Sequence, residues 1–217
     1  MLSQFSLNPS QQHLTAAKRV LHYLKHTIDM GIAYRMDCDP LTIIAFSDSD
    51  WGTDTLDHKS ILGYIFQLAG GPVAWSSKKQ TSVALSSMEA EYVAMSHCVR
   101  EALWLRNLLD ELGLLRDYPI SIHADNLSAI SHVKNHMATT RSRHIDIRLH
   151  FIHDAIDDRL ITIDYRESKE NAADILTKPL SAPAHWHCVD LLGMHTELRG
   201  SVVDRNCHVP SRRAAQV

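Results

Sequence analysis

The chain has 217 residues, of which 45% are hydrophobic and 22% charged, and its formal net charge is −3. Such a composition is that of a globular chain able to build a sizeable core, and it excludes a protein that binds nucleic acid through overall positive charge, leaving that to local basic patches. Cys38, Cys98, Cys188 and Cys207 lie far apart with no Cys-x-x-Cys pair, so neither a zinc site nor a redox dithiol is indicated and a reducing compartment is the simpler setting. No basic-then-apolar leader follows Met1 and no apolar run is long enough to span a bilayer, so a soluble, intracellular protein of the cytoplasm or nucleus, with no membrane partner, is expected.

Asn8-Pro9-Ser10-Gln11 reads as a helix start, with Asn8 as N-cap, Pro9 at the first helical position and Gln11 closing a capping box. Ala17, Val20, Leu21 and Leu24 follow at helical spacing, ending before Gly31. Leu41 to Ser47 is a β-rich run that stops at Asp48; the polar stretch to Ser60 is a loop. Ile61 to Leu68 is a strand, Gly70-Gly71-Pro72 a turn, and Val73 to Ser76 a third strand. A long helix runs from about Ser87 to Leu112, closed by Gly113. Ile120 to Ala124 is a short strand running into Asp125; Asn126 to Lys134 and Ile145 to Asp157 are helical; Leu160 to Tyr165 is a strand; Ala172 to Thr177 starts a short helix that Pro179 stops. Three leading strands can form an antiparallel meander, while strands separated by helices need crossovers and pair in parallel. The expected fold is therefore α/β, a mixed five-stranded sheet with helices packed on it. After Met194 the periodicity fades, and residues 195–217 read as a disordered tail.

Asp48 and Asp125 stand at strand ends, where functional groups gather in open sheets with crossover connections, although a single Asp there is as readily a turn or helix cap. The long helix says more. Ser86 and Glu89 form a capping box, which gives Glu89 a structural task. Glu91 sits inside the stripe of Met88, Tyr92, Met95, Val99, Ala102 and Leu109, about 200° around the helix from Glu89, so it faces the sheet. A carboxylate on a buried face is costly unless it is paired or bound to metal. Asp174 opens the last helix, where an acid also favours the helix dipole. Carboxylates converging on one place are tolerable when divalent cations neutralise them. An all-oxygen donor set selects hard ions, Mg²⁺ foremost, and two ions roughly 3.5–4 Å apart activate water and stabilise the leaving oxygen of a phosphodiester. No Ser-His-Asp, P-loop or HExxH pattern competes.

The strings FSDSDWGTD, GYIFQLAGGPVAWSSKKQTSVALSSMEAEYVAMS, ADNLSAI, RSRHIDIRLHFI and NAADILTKPL resemble the ribonuclease H region of copia-type LTR retrotransposon polyproteins, from about Pro9 to Met194. The resemblance implies a ribonuclease H-like fold and hydrolysis of the RNA strand of RNA/DNA hybrids. It makes Asp48, Glu91, Asp125 and Asp174 the acids that hold two Mg²⁺ ions, with Mn²⁺ as substitute. It divides the chain into residues 1–40, the end of a reverse transcriptase region; 41–180, the ribonuclease H-like domain; 181–194, an extension; and the tail. The reverse transcriptase portion is then an expected partner beside the hybrid, although the polymerase Y-x-D-D motif is absent.

Lys78, Lys79 and Gln80 lie where the family approaches the substrate backbone. Arg141, Arg143, His144 and Arg148 form the clearest basic patch, suited to phosphate. Asn126, next to Asp125, is a further substrate-binding candidate. His144 is a candidate for proton transfer or product release, since no His falls between Glu167 and Glu170. His150 and His153 read as helix-surface residues, Asp50 as a water-orienting group or a turn cap, and Trp51 and Trp75 as core or rim aromatics. Two rivals remain: a decayed fragment that binds hybrid or polymerase without cutting, and an integrase-like recombinase, which the position of Glu91 as second acid in the chain disfavours.

Overall fold

The computed structural model describes residues 2–35, 41–52, 57–114, 118–134 and 143–196. In chain order these form α1 (Gln11–His26), β1 (Gly31–Ile32), β2 (Ile43–Asp50), β3 (Ile61–Leu68), β4 (Gly71–Lys79), α2 (Ser87–Glu111), β5 (Ile120–Ala124), α3 (Leu127–Lys134), α4 (Arg143–Asp157), β6 (Ile161–Tyr165), α5 (Asp174–Thr177), α6 (Ala182–Leu191) and β7 (Met194–His195), with 3-10 turns at Leu2–Phe5 and Ser168–Glu170. The tail beyond residue 196 lies outside the described residues.

The main sheet has the order β4-β3-β2-β5-β6. The meander β2-β3-β4 is antiparallel, and β5 and β6 join in parallel beside β2. This is the mixed five-stranded arrangement that the strand and helix order predicts. Alternation along the strands supplies two cores. Ile43, Ala45, Leu62, Phe66, Ile122 and Ile163 pack with α2, α3 and α4, and the smaller cluster of Phe46, Ile65, Ala172, Ala173 and Leu192 lies with α5 and α6. Both cores stop at the end of the sheet where β2 and β5 finish, and that end is polar.

Several elements differ from expectation for identifiable reasons. Ser10, not Asn8, caps α1: its hydroxyl accepts from His13 N–H at 3.4 Å, and His13 Nδ1 accepts from Ser10 N–H at 3.0 Å. The N–H of Asn8 is already spent on Phe5 O. The α1 stripe does not face the sheet, and Val20, Leu21 and Leu24 are 52%, 66% and 56% exposed. β4 takes in the expected turn residues Gly71-Pro72 and the expected loop residues Lys78-Lys79, because the turn is only Ala69-Gly70, both at positive φ. Pro72 is tolerated because β4 is an edge strand, where a missing N–H breaks no ladder on its free side. α6 was not foreseen as a helix; Ser181 precedes it in extended conformation without a side-chain capping bond, and a Pro in its first turn suits a position whose N–H is unused.

β1 and β7 form a second, two-stranded sheet that joins the segment before β2 to the end of α6. Ala33 N–H extends it by donating to Gly193 O, and Arg35 N–H donates to Ala69 O at the β3–β4 turn. Gly193 (φ +65°) is required there, since a Cβ would be driven into the Gly70 carbonyl oxygen. Gly113 has a similar φ of +67° but open space around it. Gly193→Ala should therefore lower the unfolding free energy by about 1–3 kcal/mol or more, and Gly113→Ala by the low end of that range, as measured by urea denaturation.

Candidate metal centre

Asp48 is carried by the central strand β2 and is fully buried. β2 and β5 run parallel with Phe46 opposite His123, and continuing that register by two residues sets Asp48 level with Asp125. Two adjacent parallel strands thus deliver two carboxylates to the same sheet end. Asp174 is brought by α5, which lies over β3. Asn171, fully buried, holds the approach: its Nδ2 donates to Ser47 O at 3.0 Å, and its Oδ1 accepts from Ala173 N–H at 3.1 Å. Gly63, paired with Asp48 across the β2–β3 ladder, provides the space, because a Cβ there would sit 2.7 Å from Thr177 Cγ2 and 3.0 Å from Leu176 Cβ.

The result is a set of carboxylate oxygens from Asp48, Asp125 and Asp174 that lie within 4.8 Å of one another. Glu91, 4% exposed on α2, lies outside that set but next to it. Burial first, then the charges of Asp48 and Asp125, push its carboxyl up to about 9, against the opposing pull of Lys178 and a backbone hydrogen bond from Ser49. Asp125 and Asp174 are likewise raised, by burial and then by Asp48. Each is held back by Lys178 and Ser168. Among the described residues Glu91 Oε2 has no hydrogen-bond partner. An all-carboxylate donor set with an unpartnered buried oxygen beside it fits hard divalent cations.

The surroundings orient these acids. The Thr177 hydroxyl donates to Asp48 Oδ2, and Ser168 Oγ donates to Asp174 Oδ2 at 2.9 Å. Lys178 Nζ lies 3.0 Å from Asp48 Oδ1 and 3.1 Å from Asp174 Oδ1. Burial works against the Lys178 charge, but Asp48 and Asp174 outweigh it and raise the ammonium above its usual range. Lys178, Thr177 and Ser168 escaped the sequence reading; the one available signal was a Lys four residues after a candidate acid at a helix start.

The four expected acids therefore meet, three as a compact set and Glu91 beside them. The capping box of α2 is only half as expected: Ser86 Oγ accepts from Glu89 N–H, but Glu89 Oε2 accepts from Leu85 N–H at 2.8 Å rather than from Ser86. Asp50 Oδ1 accepts from Ile61 N–H and fastens the start of β3. Trp51 and Trp75 are rim residues, 55% and 58% exposed, and the Trp51 indole donates to Ala84 O at 3.0 Å.

The outer candidates divide. Lys78 is exposed on β4. Lys79 pairs with Asp57 at 2.9 Å. Gln80, 3% exposed, donates to Ala90 O at 3.0 Å and so braces α2 instead of facing solvent. Asn126 is the N-cap of α3, its Oδ1 accepting from Ala129 N–H at 3.0 Å. Arg141 lies outside the described residues, and Arg143 and His144 fall in the first turn of α4. Arg148 reaches across to Ser96 Oγ on α2 at 2.9 Å. His97 accepts from Arg100 at 2.9 Å. Burial, then the charges of Arg100 on α2, Arg148 on α4 and Lys78 on β4, push the His97 imidazole down to about 4. His153 is buried, against the expectation of a surface residue, because around α4 it falls within about 60° of Leu149 and Ile156, which pack in the core. Glu170, in the stretch that lacks a His of its own, pairs with His187 of α6 at 3.4 Å.

No family model matches the chain. The chain is 37% identical over 196 residues to the retrovirus-related Pol polyprotein from transposon TNT 1-94 of Nicotiana tabacum, covering 90% of this chain and 14% of that protein. It is 38% identical over 193 residues to the corresponding polyprotein from transposon RE1 of Arabidopsis thaliana, covering 89% and 13%. The chain thus spans 13–14% of the length of these curated relatives. Among solved structures, LC11-RNase H1, isolated from compost, aligns with a TM-score of 0.48 at 16% identity over 63% of this chain and 92% of that one.

Glu91 sets a pH dependence in metal-free buffer. The folded chain, with the Glu91 carboxyl pushed up to about 9, keeps this proton over a range where an unfolded chain has released it near the ordinary glutamate value of 4.5, so between these limits the native state binds more protons and stability falls as pH rises. Melting temperature in EDTA should decline across that window, and Glu91→Gln should flatten the decline.

Proposed function

Because the chain belongs to the retrovirus-related Pol polyproteins of copia-type transposons, we propose that it is their ribonuclease H region, a two-metal-ion endonuclease that hydrolyses the RNA strand of RNA/DNA hybrids. The observation that carries this reading is the convergence of Asp48, Asp125 and Asp174 within 4.8 Å, from the last residues of β2, the end of the adjacent β5 and a helix start. Asp48, Asp125 and Asp174, with Glu91 beside them, would hold two Mg²⁺ or Mn²⁺ ions. When bound, such ions supply an activated water and stabilise the departing oxygen of a phosphodiester. The chain's own groups do the positioning. Thr177 orients Asp48, Ser168 orients Asp174, and Asn171 locks the backbone between them. Glu91 would bind one ion and help select the RNA strand through its 2′-hydroxyl, which distinguishes RNA from DNA. Lys78, Arg100 and Arg148 give a positive face for the phosphate backbone. Residues 1–40 are, on this reading, the end of the reverse transcriptase region, and the exposed Val20, Leu21 and Leu24 of α1 are surface offered to that portion.

Incubation with a labelled hybrid should give RNA cleavage in Mg²⁺ or Mn²⁺ and none in EDTA, and Asp48→Asn or Glu91→Gln should abolish it. Hybrid that is bound but left whole by the metal-loaded chain would instead mark a binding module. Binding should weaken steeply with salt, and Lys78→Ala should flatten the log–log salt dependence by about one counterion, measured by anisotropy. An unchanged slope would remove Lys78 from the interface.

A further inference from the structure

Lys178 has no place in the hydrolysis described above, yet its ammonium stands among the acids that such hydrolysis needs. Its Nζ is 3.0 Å from Asp48 Oδ1 and 3.1 Å from Asp174 Oδ1, two of the three carboxylates whose oxygens gather within 4.8 Å. No other Lys or Arg among the described residues makes an ion pair with Asp48, Asp125 or Asp174. The Asp48 side chain is 1% exposed and that of Asp174 10%, whereas that of Lys178 is 32% exposed. The Lys178 backbone is fixed, since its N–H donates to Asp174 O at the end of α5. The four-carbon stem is what remains free to turn toward solvent.

We propose that Lys178 is a resident counter-ion of the acid cluster, occupying between Asp48 and Asp174 the ground a divalent cation takes, so that metal loading is an exchange of one cation for another. The proposal rests on the metal-ion reading above and adds a regulator to that site. An ammonium and a divalent cation cannot both sit about 3 Å from the same carboxylate oxygens without strong mutual repulsion. One must leave, and only the lysine is tethered by a flexible stem. Without metal the lysine neutralises carboxylates that would otherwise repel each other in a buried place. With metal it is displaced, and the cost of displacement lowers the apparent affinity for the ion. The acid cluster would then fill only above a threshold concentration set by this competition, and a chain without metal would stay folded.

The experiment is titration of the full chain with Mg²⁺, without nucleic acid, followed by calorimetry and by melting temperature. Lys178→Met keeps the apolar stem and removes the charge. It should melt lower than wild type in EDTA, bind Mg²⁺ about tenfold more tightly, and gain more melting temperature from the metal. Lys178→Arg keeps the charge and should bind no more tightly than wild type. Equal Mg²⁺ affinity in wild type and Lys178→Met overturns the exchange and leaves the metal reading standing. Binding that is absent from both, or unchanged by Asp48→Asn, overturns both together. If Lys178→Met does not fold, the ¹⁵N-labelled wild-type chain decides the matter. A protected lysine ammonium signal in EDTA that is lost or shifted on adding Mg²⁺ supports displacement, and one that Mg²⁺ leaves unmoved overturns it.

Discussion

A fully buried carboxylate, Asp48, has two further aspartates within a few ångströms and a glutamate beside them. Burial and like charge act in the same direction, against ionisation. The packing at this end of the sheet answers that pressure. The hydroxyl of Thr177, the ammonium of Lys178 and the hydroxyl of Ser168 all come from one short stretch, and all three address Asp48 or Asp174. Among the described residues Glu91 has no such partner at Oε2, and burial with the charges of Asp48 and Asp125 pushes its carboxyl up to about 9. The same crowding that makes the cluster costly for bare carboxylates makes it a favourable place for cations.

Holding α5 over the sheet is a steric matter before it is an electrostatic one. At Gly63 the β3 backbone has no side chain where Thr177 and Leu176 come down, and across the ladder the partner residue is Asp48. Asn171 then ties the incoming loop to the carbonyl of Ser47, the residue before Asp48. One glycine and one buried amide set the distance between the acid of β2 and the acid of α5. Ala172 and Ala173, both fully buried, leave no bulk between them.

The five strands of the main sheet and three of the four acids were legible in the sequence because each leaves a one-dimensional trace, whereas Asp174, an acid at a helix start, stood out only through the family resemblance. Alternation marks strands, a strand that ends in Asp marks the sheet edge, and a charge inside an apolar helical stripe marks a buried acid. What escaped depends on relations across the chain. Lys178 looks like any surface lysine until α5 is laid against β2. Gln80 looks like part of a basic loop until β4 is seen to run on through Lys79 and turn its neighbour inward against α2. His153 reads as exposed because it is polar, and periodicity alone does not say how wide the buried face of α4 is. The cap of α1 slipped by two residues because His13, not a carboxylate or amide, closes the box, an exchange of side-chain chemistry that a motif rule does not anticipate.

The pair β1–β7 also bears on how this segment behaves when it is pulled. Gly31 lies opposite His195 and Ile32 opposite Met194, so the incoming and outgoing chain run side by side and depart from the same end of the ribbon. Tension applied through the two flanking stretches therefore opens the ribbon as a zip, one rung after another, and not by shear of all its rungs at once. The two-rung ribbon yields first at Gly31 and His195, ahead of β2, the strand that carries Asp48.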